Sequence, residues 1–281
     1  MKIAFCKYQG TGNDFILIDG REGLSSLPAE KVAALCHRRF GIGADGLILL
    51  INEPGYDFRM VYYNSDGNES TMCGNGGRCI AAFARMLGIP GDAYHFLGVD
   101  GPHVATFLPD GNVKLQMKDV AAVETVDGFL FVDTGSPHAV LKVTGLDDMD
   151  VCAEGKAIRY SERYQTNGVN VNFVQPSTNG LSVRTYERGV ENETYSCGTG
   201  VTAAVLSAAV SGWIPSANGV CRVQTPGGSL LVYFSQQGDG FTDIWLEGPA
   251  EHVFDGIFES DDFLGAGFAV EDPPRFCDDP D

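Results

Sequence analysis

One short pattern occurs twice in this chain, and any fold has to accommodate both copies. Thr71-Met72-Cys73-Gly74-Asn75-Gly76 returns in altered form as Tyr195-Ser196-Cys197-Gly198-Thr199-Gly200, with 124 residues between the cysteines at 73 and 197. Each cysteine leads Gly-x-Gly and then an alanine-rich apolar run, Ile80–Ala84 in the first copy and Ala203–Val210 in the second. Nine residues before each cysteine stands a polar side chain suited to holding a ligand, Asn64 before Cys73 and Arg188 before Cys197. A repeat that keeps one thiol per half predicts two facing lobes with both thiols on one cleft.

The 281 residues suffice for one large domain or two of ordinary size. Strand-like runs dominate both halves. They include Lys2–Tyr8, Asp14–Asp19, Gly46–Ile51 and Phe58–Tyr63 in the first, and Ala139–Val143, Val169–Gln175, Ser182–Tyr186 and Phe241–Glu247 in the second. Helices are few. One opens at Pro28 and runs to about Arg39, and two more start just after Cys73 and Cys197. Those last two are apolar or small on nearly every face, the composition of a helix wrapped by other structure. The expected fold class is therefore α+β: two pseudo-symmetric lobes, each a curved, mainly antiparallel sheet wrapped around a central apolar helix, with an active site in the cleft between them. The boundaries expected are 1–118 for the lobe carrying Cys73, 119–258 for the lobe carrying Cys197, and 259–281 for an acidic C-terminal tail.

Charge narrows the partners. A formal net charge of −18 argues against nucleic acid, whose phosphates would be repelled. The longest aliphatic run, Leu47–Ile51, is far shorter than the ~20 apolar residues that cross a bilayer, so no membrane partner is expected. The N-terminus lacks the apolar stretch of a secretory signal, which predicts a cytoplasmic protein. Of the eight cysteines, most are expected to be small core residues, because no CxxC pair points to zinc or to a redox site. No metal is expected. Nor is a cofactor, since no lysine motif suggests a pyridoxal-phosphate Schiff base and no P-loop pattern is present.

The two repeat cysteines need another explanation. At the start of a buried helix, unpaired N–H groups and the positive end of the dipole favour an anion. A thiol with a pKa of about 8.5 in peptides can fall to roughly 3.5–7.5 in such a place. The glycines beside each cysteine let the backbone approach a ligand carboxylate closely. One thiolate and one thiol on opposite sides of a bound carbon would act as base and acid and invert the centre. Two thiolates so close would repel, so the pair should share one proton and titrate as a unit.

These residues lie in a long ordered set of motifs that resembles the diaminopimelate epimerase family, amino-acid epimerases that work without pyridoxal phosphate. The set runs from Lys7-Tyr8-Gln9-Gly10-Thr11-Gly12-Asn13-Asp14-Phe15 through Asn64-Ser65-Asp66-Gly67, Gly135-Ser136-Pro137-His138, Asn170-Val171-Asn172-Phe173 and Tyr186-Glu187-Arg188-Gly189 to Glu247-Gly248-Pro249-Ala250. The resemblance implies that Cys73 and Cys197 are the acid–base pair interconverting LL- and meso-diaminopimelate, in lysine and cell-wall precursor synthesis. It also implies that Asn13, Asn64, Asn170 and Arg188 hold the substrate, with Arg188 on the distal carboxylate. Glu187 would meet the α-ammonium, and Gly74, Asn75, Gly198 and Thr199 would cradle the reacting carboxylate. His138 and Glu187 match auxiliary residues that tune the thiols, and a homodimer is implied. Two departures stand out: Gly46 where many members have Gln, and Ser136 where many have Asn. A proline racemase or hydroxyproline epimerase is the neighbouring enzymatic reading. A dithiol redox sensor using Cys73 and Cys197 is the reading from another class.

Overall fold

A computed structural model describes residues 2–71, 73–126, 128–214 and 219–259. The expected acidic tail, apart from Glu259, lies outside the described residues. In chain order the elements are β1 (Lys2–Gly10), β2 (Asn13–Asp19), α1 (Ala29–Cys36), β3 (Gly46–Ile51), β4 (Phe58–Asn64), α2 (Gly74–Met86), β5 (Ala93–Gly98), β6 (Gly101–Phe107) and β7 (Val113–Gln116). There follow β8 (Glu124–Val126), β9 (Phe129–Asp133), β10 (Pro137–Lys142), a 3-10 turn (Leu146–Asp148), α3 (Val151–Arg159), β11 (Asn170–Ser177), β12 (Gly180–Glu187) and β13 (Asn192–Thr194). The chain continues with α4 (Gly198–Val210), β14 (Val220–Thr225), β15 (Gly228–Gln237), β16 (Gly240–Gly248) and β17 (Glu251–Glu259).

Two compact units emerge. One takes the chain up to Leu115 together with the strand after Pro249, and the other takes Gln116–Gly248. In the first, β1 pairs antiparallel with β2, β2 runs parallel to β3, β3 antiparallel to β4 and β4 parallel to β5, and β6 and β7 follow antiparallel. The second repeats that sequence of directions through β9, β10, β11, β12, β14, β15 and β16. The pseudo-symmetry read from the motif thus extends to the strand pairing. Antiparallel pairs outnumber parallel ones in both units, as the α+β class requires. Each unit adds an outer strand to its first member, β17 on β1 and β8 on β9.

All of β17 but Glu259 falls within 119–258, the stretch expected to form the second lobe, yet it pairs along β1 from Lys2↔Glu259 to Gln9↔Glu251. Its partner lies at the other end of the chain, and no local pattern announces so distant a pairing.

Helices cover both faces of each core sheet. In the first unit Val32, Leu35 and Cys36 of α1 pack with Ile16, Ile18, Leu47 and Leu49. The opposite face meets α2, where Gly76 lies against Ile48, Met60 and Phe15. A strand covered on both sides has no solvent face to keep polar, which explains the unbroken aliphatic run Leu47–Ile51. In the second unit Val151 of α3 packs with Ala139, Val171, Phe173 and Tyr186, while α4 contacts β9–β12 and β14–β16. Every residue of α4 from Gly200 to Ala209 is buried. The enclosed second helix follows expectation. The first departs from it, because α2 carries a wholly buried arginine, Arg78, among its small residues.

Candidate active site

Each repeat cysteine caps its helix. Cys73 holds extended backbone angles (φ −96°, ψ 134°) before α2, and Cys197 does so (φ −113°, ψ 110°) before α4. Their carbonyls accept the first helical bonds, from the Gly77 N–H at 2.7 Å and the Val201 N–H at 2.8 Å. The first-turn amides after each cysteine therefore lie where a carboxylate could be bound. Both helices are 13 residues long. Cys36, Cys79 and Cys221 are buried, as expected for core cysteines.

Around Cys73 the structure gathers Asn13, Asn75 and Arg78. The Cys73 thiol lies 3.6 Å from Asn13 Oδ1, which also accepts from Asn75 Nδ2 at 3.3 Å. Asn13 Nδ2 donates to Asp45 Oδ2 at 2.7 Å. Behind it, Asp14 is paired with both Lys7 and Arg38, which together hold its carboxyl below the usual range against the effect of burial. Asn13 is thus locked from both sides and presents its oxygen to the thiol. Asn64 ends β4 exposed, and its side chain makes no hydrogen bond among the described residues, leaving the amide available to a ligand. Gly46 sits opposite Asn64. A Cβ there would lie 2.6 Å from the Tyr62 ring and from the Tyr63 carbonyl. The missing family glutamine is therefore a position with no room for any side chain in this backbone.

The second unit builds its side from β10, β11 and β12. Asn170 donates to Ser136 Oγ at 2.8 Å and to the Pro137 carbonyl at 3.1 Å, and accepts from the Arg188 N–H at 2.9 Å. Its amide is spent on the frame, which makes it a positioning residue for Ser136 and Arg188. Ser136 keeps the hydrogen-bonding role its position demands, since Arg188 also reaches its hydroxyl at 3.5 Å. The Arg188 guanidinium is exposed and otherwise donates to the Asn167 carbonyl at 2.9 Å. No carboxylate among the described residues pairs with it. An arginine held by neutral oxygens alone keeps its charge for an arriving anion. Glu187 accepts from Thr194 Oγ1 at 2.8 Å.

Asn172, which the sequence reading had not singled out as a site residue, organises the interior. Its Nδ2 donates to the Ala139 carbonyl at 3.2 Å and meets His138 Nδ1 at 3.0 Å, while its oxygen accepts from Thr185 Oγ1 at 3.0 Å. A carbonyl can only accept, so Asn172 Nδ2 is the donor to both. His138 Nδ1 must then be the acceptor, and the ring proton sits on Nε2. His138 is fully buried, and its pKa is pressed down to about 3, first by burial and then by the Arg188 charge. The ring is neutral, and its buried Nε2 has no hydrogen-bond partner among the described residues. Close by, Cys197 Sγ lies 3.5 Å from Thr199 Oγ1. The Thr199 carbonyl accepts from Thr134 Oγ1 at 2.9 Å, which steadies the loop. Gly200 has to be glycine: a Cβ there would sit 2.3 Å from Asn172 Oδ1.

The family that carries this double motif is decided by comparison. The sequence model of diaminopimelate epimerase matches residues 5–127 and 130–253. A diaminopimelate epimerase of Flavobacterium psychrophilum is 53% identical over 253 residues, covering 89% of this chain and 97% of that protein. The chain belongs to the diaminopimelate epimerase family. A second relative of that name, from Chlorobaculum tepidum, is 44% identical over 88% of this chain and 98% of its own length. Solved structures show the same fold at low identity. A phenazine biosynthesis protein of the PhzF family from Bacillus anthracis has a TM-score of 0.70 at 15% identity, covering 92% of this chain and 99% of that one. A hydroxyproline epimerase from Agrobacterium vitis has a TM-score of 0.67 at 15% identity, covering 96% of each chain. The fold is common to the neighbouring enzymatic reading, and the sequence separates the two.

Proposed function

We propose that the protein interconverts LL- and meso-diaminopimelate without a cofactor, as an isomerase serving lysine and peptidoglycan precursor synthesis. The match to diaminopimelate epimerases over 89% of the chain carries this assignment. In our reading one repeat cysteine, as thiolate, removes the α-proton while the other, as thiol, delivers a proton to the opposite face. Charge then spreads into the α-carboxylate, where the first-turn amides beside Gly74, Asn75, Gly198 and Thr199 offset it. Asn13 and Asn64 grip the substrate from the first unit, and Asn170 frames the grip of the second. Arg188 takes the distal carboxylate, consistent with a guanidinium whose hydrogen bonds among the described residues go to neutral oxygens. Glu187 receives the α-ammonium. His138, neutral and protonated on Nε2, offers a buried donor to stabilise a thiolate or the substrate.

No helix among the described residues is long and apolar enough to cross a membrane. We place the enzyme in the cytoplasm as a homodimer, following the family resemblance, and sedimentation of the purified protein tests the second point. The reaction is tested by incubating LL-diaminopimelate with the protein in deuterated water. Deuterium should enter at the α-carbon as the meso isomer forms. Isomerisation without solvent exchange would exclude proton transfer, and turnover of proline with none of diaminopimelate would move the protein to the neighbouring class.

A further inference from the structure

The outer strand pair of the first unit gathers three side chains that the proposed reaction does not use. In β1, Ile3 and Phe5 pack with Val32 and Leu35 of α1 on one face of the sheet. Lys7 follows them by alternation and pairs with Asp14 at 2.7 Å. Cys6 and Tyr8 therefore occupy the opposite face. Across the antiparallel pairing Cys6 stands directly opposite Asp255 of β17. Opposite residues point to the same side, so the thiol and the carboxylate share that face.

His252 lies three residues before Asp255, and strict alternation would put it on the other face. A β-bulge reverses this. Up to Lys7↔Phe254 the strands pair one to one, whereas Tyr8 faces His252, which leaves Val253 as the extra residue. The bulge re-aims His252 to the face of Cys6, Tyr8 and Asp255. Its ring meets the buried Tyr8 ring edge to face, with centroids 5.4 Å apart. Tyr8 rests in turn on Phe83 of α2, with centroids 6.1 Å apart. The imidazole is thus held against a fixed aromatic support.

The result is a thiol, an imidazole nitrogen and a carboxylate oxygen that all lie within 4.8 Å of one another. His252 Nε2 is 2.8 Å from Asp255 Oδ1. Cys6 is half-buried, whereas the His252 and Asp255 side chains are 42% and 69% exposed. The sulfur forms the floor of the cluster, and the two groups at its rim are free to rotate. A tetrahedral zinc ion holds such ligands roughly 3.4–3.6 Å apart, a spacing that small rotations at the rim can reach. Calcium and magnesium take oxygen ligands, while thiolate and imidazole together suit zinc and its first-row neighbours.

We infer that Cys6, His252 and Asp255 form a three-ligand site for zinc or a similar divalent transition-metal ion, with the fourth position open to water. On binding, the Cys6 thiol gives its proton to solvent and the sulfur coordinates as thiolate. One ligand comes from β1 and two from β17, so the ion clasps the outer strand to its only partner strand among the described residues. No CxxC or His-rich pattern announces the set, because its members stand at the two ends of the chain, with 246 residues between positions 6 and 252. None of the three is assigned to the reaction, so the site is independent of the proposed function.

The test is titration of the reduced, chelator-treated protein with cobalt(II), followed by competition with zinc and with magnesium. Wild type should develop a thiolate-to-cobalt charge-transfer absorption together with the visible bands of a tetrahedral ion. Zinc should displace both and magnesium neither. C6S should lose the charge-transfer band, while H252Q and D255N should keep a thiolate ligand and bind about tenfold more weakly or worse. Zinc should also raise the thermal unfolding midpoint of wild type and leave that of H252Q nearly unmoved. Absence of a charge-transfer band in wild type overturns the proposal. So does a band of undiminished affinity in C6S, which would put the sulfur ligand elsewhere, at Cys73 or Cys197 for example. His252 and Asp255 are exposed, so H252Q and D255N remain informative if C6S fails to fold. Wild-type affinity in both of them overturns the proposal as well.

Discussion

The start of α2 and the start of α4 have the same length, the same cap geometry and the same Cys-Gly-x-Gly lead, yet they are built from different materials. At α2 the loop is held by side chains of several elements, with Asn13, Asn75, Thr11 and Arg78 sharing hydrogen bonds. At α4 the loop is held by hydroxyls and by close packing on Asn172, and the helix behind it is uncharged and largely apolar. What the two starts have in common is a thiol at the cap of a helix. What differs is the support beneath each thiol.

The largest break in the comparison comes from deleting each sulfur in turn. Cys73→Ala and Cys197→Ala should each lower kcat for epimerisation by about 10²–10⁴-fold, the usual worth of a positioned acid or base, with thermal unfolding little changed. If either variant keeps most of its activity, the two starts are not partners in one reaction. Next in size is Arg188→Lys, at a position whose counterpart is the neutral Asn64. It should raise KM for diaminopimelate about tenfold or more with a smaller effect on kcat, because an ammonium cannot meet a carboxylate bidentately. An effect confined to kcat would place Arg188 at the reacting centre instead.

The matched glycines sharpen the contrast in packing. An added Cβ at Gly76 would meet the mobile tips of Ile48 and Met60 at 3.2 and 3.3 Å, whereas at Gly200 it would meet Asn172 Oδ1 at 2.3 Å. Gly200→Ala should therefore cost about 1–3 kcal/mol in denaturant unfolding and Gly76→Ala clearly less. Equal costs would show that the second loop can yield as easily as the first. The smallest effect is a slope. His138 has a folded pKa lowered from 6.5 to about 3, so its contribution is whole above 6.5 and is lost as pH falls toward 3. Across that window stability should fall by up to ~1.4 kcal/mol per pH unit on its account. His138→Gln should flatten that part of the curve, and an unchanged slope would mean the ring protonates without resistance.

Much of this was legible in the sequence. The doubled motif gave the two units, and the caps of both central helices fall at the cysteines as read. The strand runs were visible because their apolar residues are dense and their turns carry Gly, Pro and Asn. β17 escaped because Glu251–Glu259 is mostly exposed and is a strand only by virtue of β1. α3 escaped although Asp150 signals its start, accepting from the Ala153 N–H at 2.9 Å. Within the site, Asn13, Arg188 and His138 could be named from motifs, but their roles could not. That Asn170 is spent on Ser136 and Arg188, that Asn172 fixes the tautomer of His138, and that Arg78 is buried with hydrogen bonds to Thr11 and the Pro249 carbonyl all depend on neighbours far away in the chain.

The pairing of β1 with β17 has a consequence for how the chain is made. As it emerges from the ribosome, Gln116–Gly248 is a continuous stretch that can complete its hydrogen-bonding pattern once exported. The unit translated first must wait with one edge of β1 open until Glu251–Glu259 arrives. The order of synthesis and the order of completion are therefore reversed, and the exposed edge in the interval is where a nascent chain of this kind is most open to mispairing.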